Sequence, residues 1–407
     1  MLELSTSIPT ITSPEAELLL CCARTHMDAE RGERISALLQ QSIDWRYLLQ
    51  TAASHAVLPL LYRSLNDIWP EAVPPAILHQ LRLHALRNAR RNLALVEALL
   101  QLMDMFTTQG IRAIPFKGLV LAAVAYGDLT LRQFGDLDFL VHPRDFLRAT
   151  DLLLAQGYRL TLQLRHERHF AHEQRAVIVD LQQGITVEDL PFHFDFECLW
   201  RDRGSVAIGE TLVPVLPLED TLIFLSVKMA EDWSQRRYHD RLLQICDIAE
   251  LLHAHPEIEW ARTMQQAKAL GSQRILLLGL CLARELLGTA LPQEVLRRIQ
   301  KDVAVGSLVA QIRTQPFDDP DRTPTPLETT LFRLRIRERF RERALLYAGL
   351  VHHYRWMTPH AIDQALWQFP APLTFLYAVL WPFRLLGKYG LTPLRRLLRR
   401  IKRVRPR

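Results

Sequence analysis

The sequence predicts an α+β protein, with a mixed α/β core over residues 106–215 embedded between N-terminal and C-terminal helical regions. Three observations point there. Apolar residues recur at helical spacing from about residue 15 to 105, and again from Leu218 to about Arg313. Short apolar, partly β-branched runs, Ile111–Phe116 and Ala176–Leu181, lie between those helical stretches. A tight turn, Gly135-Asp136-Leu137-Asp138, opens a third such run, Phe139-Leu140-Val141.

Composition sets the bounds. With 407 residues, 49% hydrophobic and 23% charged, the chain has length for two or three domains and enough apolar side chains for a core without staples. The five cysteines, Cys21, Cys22, Cys198, Cys246 and Cys281, show no C-x-x-C spacing, so reduced structural thiols in the cytoplasm are expected. Met1–Pro14 lacks a basic region ahead of an apolar stretch, unlike a signal peptide. The absence of a P-loop, of G-x-G-x-x-G and of G-x-S-x-G argues against the commonest nucleotide-hydrolysing, dinucleotide-binding and hydrolase sites.

In chain order, residues 1–105 read as helical, with an amphipathic stretch from Leu78 to Leu102. Ile111–Phe116 reads as a buried strand ending at Lys117-Gly118, with a helix from Leu119 to Tyr126. A strand, a glycine and a helix N-terminus present backbone N–H groups to an anion, and Lys117 adds a positive charge. A plain turn between strand and helix uses the same glycine, and both readings stay open. Tyr126-Gly127-Asp128 breaks the helix. Arg132 then either pairs with a nearby carboxylate or holds a phosphate oxygen, and its planar fork favours the phosphate. On a strand, Asp136 and Asp138 share a side while Leu137 and Phe139 turn to the core. Paired carboxylates repel unless a cation lies between them, and Mg²⁺, which takes oxygen ligands and shares its shell with phosphates, suits them.

Lys117-Gly118, a helix, Arg132 and then Gly135-Asp136-Leu137-Asp138 resemble the pattern of the DNA polymerase β nucleotidyltransferase superfamily. More narrowly, they resemble its uncharacterised nucleotidyltransferase family, and nucleotidyltransferase toxins of abortive-infection systems carry a similar arrangement. The likeness extends over Asp44-Trp45, His55–Tyr62, Pro217–Leu222 and Cys246–Leu251, from Asp44 to about Leu291. It implies a polymerase β-like nucleotidyltransferase core that moves an NMP from an NTP, ATP favoured, to an acceptor that is a protein, a small molecule or an RNA end. Two Mg²⁺ ions are implied at Asp136, Asp138 and a third acid. Lys117, Gly118, Arg132 and Gly135 are implied at the nucleotide.

For the third acid, Asp180 closes a buried strand in the place of the family's V-D-L-H-W segment, although Gln182 and Gln183 stand where histidine and tryptophan are usual. The rival is Phe192–Glu197, whose alternation reads as a strand with His193, Asp195 and Glu197 on one face. Asp180 is preferred, because an acid in a buried strand is costly to keep without a role. Lys228 falls near another position where the family has histidine. His166, His169 and His172 gather on one face of neither a helix nor a strand, so a surface loop or helix is expected there instead of a zinc site.

Residues 216–313 read as a helical domain, with helices starting near Thr221 and spanning Arg241–Leu252, where Asp247 is expected to be a packed, hydrogen-bonded acid. A proline-rich linker is expected over 314–330, a helical segment over 331–370 that begins with a helix from Leu331 to Tyr347, and an apolar then basic tail over 371–407. The tail carries ten positive charges and no acid, and removing it from the overall +6 leaves the rest at −4. Its apolar stripe, Leu394, Leu397, Leu398, Ile401 and Val404, lies beneath those bases, and such a basic amphipathic helix suits an anionic membrane surface, while docking of its leucines on the helical domain stays open. The expected location is cytoplasmic, with peripheral membrane attachment as one reading. Two other readings stay open: a scaffold that kept the fold but lost turnover, and an RNA or DNA binder.

Overall fold

The structure is a computed structural model that describes residues 13–164, 166–184, 194–234, 241–313, 317, 325–339, 342–344 and 346. The chain divides into a unit 1–338 and a unit 339–407, and of the second only a helical stretch at 342–344 and single residues beside it are described. The expectations for His193 and for the tail 371–407 lie outside the described residues.

Helices flank a central sheet, as the α+β reading expects. The sheet takes β1 (Ala113–Phe116), β2 (Leu137–Val141), β3 (Arg159–Gln163), β4 (Glu167–His172) and β5 (Val177–Gln182), in the order β1-β2-β5-β4-β3. β2 and β5 run parallel and the remaining pairs antiparallel. A hairpin of β6 (Gly204–Ile208) and β7 (Thr211–Val215) forms a separate two-stranded sheet. Among the described residues no helix is long and apolar enough to cross a membrane.

Period-two alternation divides the large sheet into two faces. Leu137, Phe139, Val179, Leu181 and Phe170 pack into one core with Phe146 and the C-terminal half of the helix Pro75–Thr108, whose Leu95, Leu99, Leu102 and Phe106 supply the stripe. Phe106 meets Phe139 edge-on, with ring centroids 5.4 Å apart. The intervening residues face the other way. There Phe116 opposes Asp138, Asp138 opposes Asp180, and Asp180 opposes His169, so that one row across four strands carries two acids and an imidazole.

Three elements differ from expectation. Residues 166–172 are not a loop or helix, since β4 begins at Glu167, and strand pairing on both sides takes up their backbone N–H and C=O groups. Described residues of the rival strand Phe192–Glu197 instead enter a helix, Phe196–Arg201, with Asp195 as its N-cap accepting from the Glu197 N–H. The helix expected over Leu331–Tyr347 runs over Pro326–Ile336 and so begins inside the expected linker. A capping box between Thr325 and Glu328 starts it, and proline is tolerated at the first helical position because its missing N–H would be unbonded there anyway.

Candidate active site

The loop before the acidic pair is held by the long helix Pro75–Thr108. Asn88 and Asn92 are buried in it, and their side-chain amides donate to the Thr130 and Leu129 carbonyls at 2.8 and 2.6 Å and to the Arg132 carbonyl. Arg91 donates to the Gly135 carbonyl at 3.1 Å. A Cβ on Gly135 would come within 2.9 Å of that guanidinium, so the absent side chain lets Arg91 close on the turn. Sequence reading missed this clamp. Its one trace is a pair of asparagines on the buried stripe of an otherwise apolar helix face.

Backbone strain collects at the opposite wall. Lys117 has φ +63° and Gly118 has φ +36°, and a non-glycine residue in that region costs on the order of 1–3 kcal/mol. A Cβ on Gly118 would make only ordinary contact with the Asp136 carbonyl, at 3.5 Å, so the dihedral and not the space calls for glycine. The strained turn aims Lys117 across the sheet, where its Nζ donates to Asp138 Oδ1 at 2.9 Å. The ammonium also lies 4.9 Å from the Phe116 ring centroid and 5.4 Å from that of Phe224.

Asp138 and Asp180 sit side by side on parallel β2 and β5, and both are buried. Burial, then the charges of Asp138, Asp136 and Glu167, push the Asp180 carboxyl up to about 8, with Lys117 pulling the other way. Burial and Asp138 also raise Asp136. His169 Nδ1 approaches Asp180 Oδ1 to 2.8 Å without hydrogen-bond alignment, and that oxygen has no hydrogen-bond partner among the described residues. Its Nε2 lies 3.1 Å from Glu167 Oε1. Gln182, two residues beyond Asp180 on the same face, donates to both Asp138 Oδ1 and Glu167 Oε1 at 3.4 Å. Acids thus outnumber cations in a partly dehydrated place, and one desolvated carboxylate oxygen is unsatisfied. This donor set fits hard divalent cations.

Asp136, Asp138, Asp180, Lys117 and Gly118 therefore share one corner of the sheet. Arg132 is placed otherwise. Its guanidinium makes a bidentate pair with Asp247, both bonds 2.8 Å, on the helix Arg241–Ala254. Tyr126 donates to the same carboxylate at 2.7 Å. Asp247 is thus the packed, hydrogen-bonded acid expected of it, and Arg132's fork is taken up by it instead of facing a phosphate. Lys228 pairs with Glu231 and Asp232 on its own helix, Leu218–Ser234. The rival acid Asp195 is an exposed helix cap.

Comparison with known proteins adds one finding. The model of a family described as uncharacterised nucleotidyltransferase matches residues 41–288, more than half of the chain and including every residue of this corner. No curated protein matches the chain.

Proposed function

Since the chain belongs to the uncharacterised nucleotidyltransferase family, whose chemistry is nucleotidyl transfer, we propose that it moves an NMP from an NTP, with ATP favoured, to an acceptor hydroxyl or phosphate in a Mg²⁺-dependent reaction. The observation that carries this reading is the convergence of Asp136, Asp138 and the unsatisfied Asp180 Oδ1 at the neighbouring inner strands β2 and β5, beside Lys117-Gly118.

Asp136 and Asp138 would hold one Mg²⁺, and Asp180 would complete the position of a second. When bound, such ions lower the pKa of an attacking hydroxyl and offset the charge of a triphosphate. Gly118 would allow the turn that sets Lys117 beside the phosphates, at a dihedral that other residues adopt only with strain. Lys117 would exchange its bond to Asp138 for the phosphates once the carboxylate is otherwise engaged, and Asp180 would shed the proton that burial favours. Asn88, Asn92 and Arg91 fix the loop, so that the acids are in place before substrate arrives.

The Lys117–Asp138 ion pair also favours a second reading, a binding protein in which the ammonium permanently replaces the metal. Incubation of the purified chain with α-labelled NTPs, Mg²⁺ and cell extract, beside an Asp136→Asn/Asp138→Asn variant, separates the two. Mg²⁺-dependent label transfer that the double substitution removes is the outcome of the first reading. No transfer, with nucleotide binding indifferent to the substitution, is that of the second. We further propose that the basic tail 371–407 attaches the protein to anionic membrane surfaces. Deletion after Pro370 is expected to abolish binding to anionic liposomes, and unchanged binding would refute the attachment.

A further inference from the structure

The sheet face carries a second constellation next to the acidic pair. Asp180 and His169 are directly opposed across antiparallel β5 and β4, and Glu167, two residues from His169, lies on the same face. One ligand atom from each of Glu167, His169 and Asp180 lies within 4.8 Å of the others. With metal–ligand bonds near 2.1 Å, adjacent ligands of one ion stand about 3 Å apart and opposed ones about 4 Å. Each acid lies beside the ring, at 2.8 Å from His169 Nδ1 to Asp180 Oδ1 and 3.1 Å from Nε2 to Glu167 Oε1, through different nitrogens. One nitrogen of the ring would bind the ion at a time.

An independent observation marks the place as built for a ligand. Asp180 is more than nine-tenths buried, and its Oδ1, which points at this cluster, has no hydrogen-bond partner among the described residues. The donor chemistry then selects the ligand. Mg²⁺ prefers oxygen alone, whereas Mn²⁺ and the later divalent transition metals accept an imidazole nitrogen.

We propose that Glu167, His169 and Asp180 form a site for a divalent transition-metal ion, with one nitrogen and two oxygen ligands, adjacent to but separable from the Asp136–Asp138 position. The proposal rests on the transfer reading only in assigning Asp180 a cation. The ion's remaining positions are left to water or to an oxygen of the substrate.

Mn²⁺ is the probe. The full chain, free of nucleotide, is titrated with Mn²⁺ in the presence of saturating Mg²⁺ and followed by electron paramagnetic resonance. Wild type is expected to retain one Mn²⁺ with a nitrogen hyperfine coupling. His169→Gln loses that coupling and binds at least about tenfold more weakly, and Asp136→Asn/Asp138→Asn keeps both. Glu167→Gln weakens binding but preserves the coupling, which keeps the test intact if the histidine variant does not fold. Absence of retained Mn²⁺ in wild type, or unchanged affinity and coupling in a folded His169→Gln variant, overturns the proposal. Label transfer is scored separately. Transfer without Mn²⁺ retention sinks this site and leaves the enzyme, and Mn²⁺ retention without transfer does the reverse.

Discussion

Lys117–Asp138 and Arg132–Asp247 are both ion pairs with a buried aspartate, yet they are built differently. In the second, a planar fork makes two bonds of 2.8 Å, Tyr126 adds a third, and both partners are nearly inaccessible. In the first, a single ammonium on a strained turn makes one bond, with a fifth of the lysine side chain exposed. A saturated, bidentate pair has nothing left to offer a ligand and joins the core to the helical region behind it. A monodentate pair beside an unsatisfied acid can exchange its cation. The contrast separates a structural lock from a site, although both lie within the same stretch of chain.

Breaking the lock is expected to have the largest effect. Arg132→Ala leaves the Asp247 carboxylate buried without its partner, at a cost of about 3–5 kcal/mol. The melting temperature should fall on the order of 10 °C, with no rescue by Mg²⁺. Lys117→Met should cost less, about 2–3 kcal/mol, because Gln182 still donates to Asp138. Its thermal stability should respond more strongly to Mg²⁺ than that of wild type, since the divalent ion replaces the missing ammonium. Equal Mg²⁺ responses in calorimetric scans would show the ammonium and the metal do not share a place.

The last effect depends on pH and concerns Asp180. Its carboxyl is pushed up to about 8, above the ordinary value of about 4 in an unfolded chain. Between those limits the folded metal-free protein holds a proton that the unfolded chain releases. Stability therefore declines as pH rises from about 4 to about 8 and levels off beyond. Asp180→Asn removes that slope, so metal-free melts should coincide with wild type near pH 4 and run clearly higher near pH 8. A variant less stable than wild type at pH 8 would contradict the burial of an uncompensated charge.

How much of this was legible in the sequence follows from how far each interaction reaches. Asp136, Asp138 and Asp180 stand out because a carboxylate in or beside an apolar strand is conspicuous locally, and β1, β2, β5 and the flanking helices follow from the same periodicities, whereas the more polar or exposed β3, β4, β6 and β7 carry no such signal. Arg132 was read toward the phosphate because its partner lies 115 residues away on another helix, where local spacing carries no information. His169 was set aside because the three histidines were compared with one another. What gives it a neighbour is the register of β4 on β5, a long-range choice. The alternation at Phe192–Glu197 was ambiguous in kind, since an aspartate ahead of an apolar run is also a helix cap, and the hydrogen bond from the Glu197 N–H decides for the cap.

The account's central claim is that Asp136, Asp138 and Asp180 bind divalent cations together with a nucleoside triphosphate. Calorimetric titration of ATP into the full chain, with and without Mg²⁺, tests it most directly beside a folded Asp136→Asn/Asp138→Asn variant. The account predicts ATP binding that Mg²⁺ strengthens at least about tenfold in wild type and leaves unchanged in the variant. Equal Mg²⁺ dependence in the two proteins, or ATP binding that ignores Mg²⁺ altogether, would contradict it.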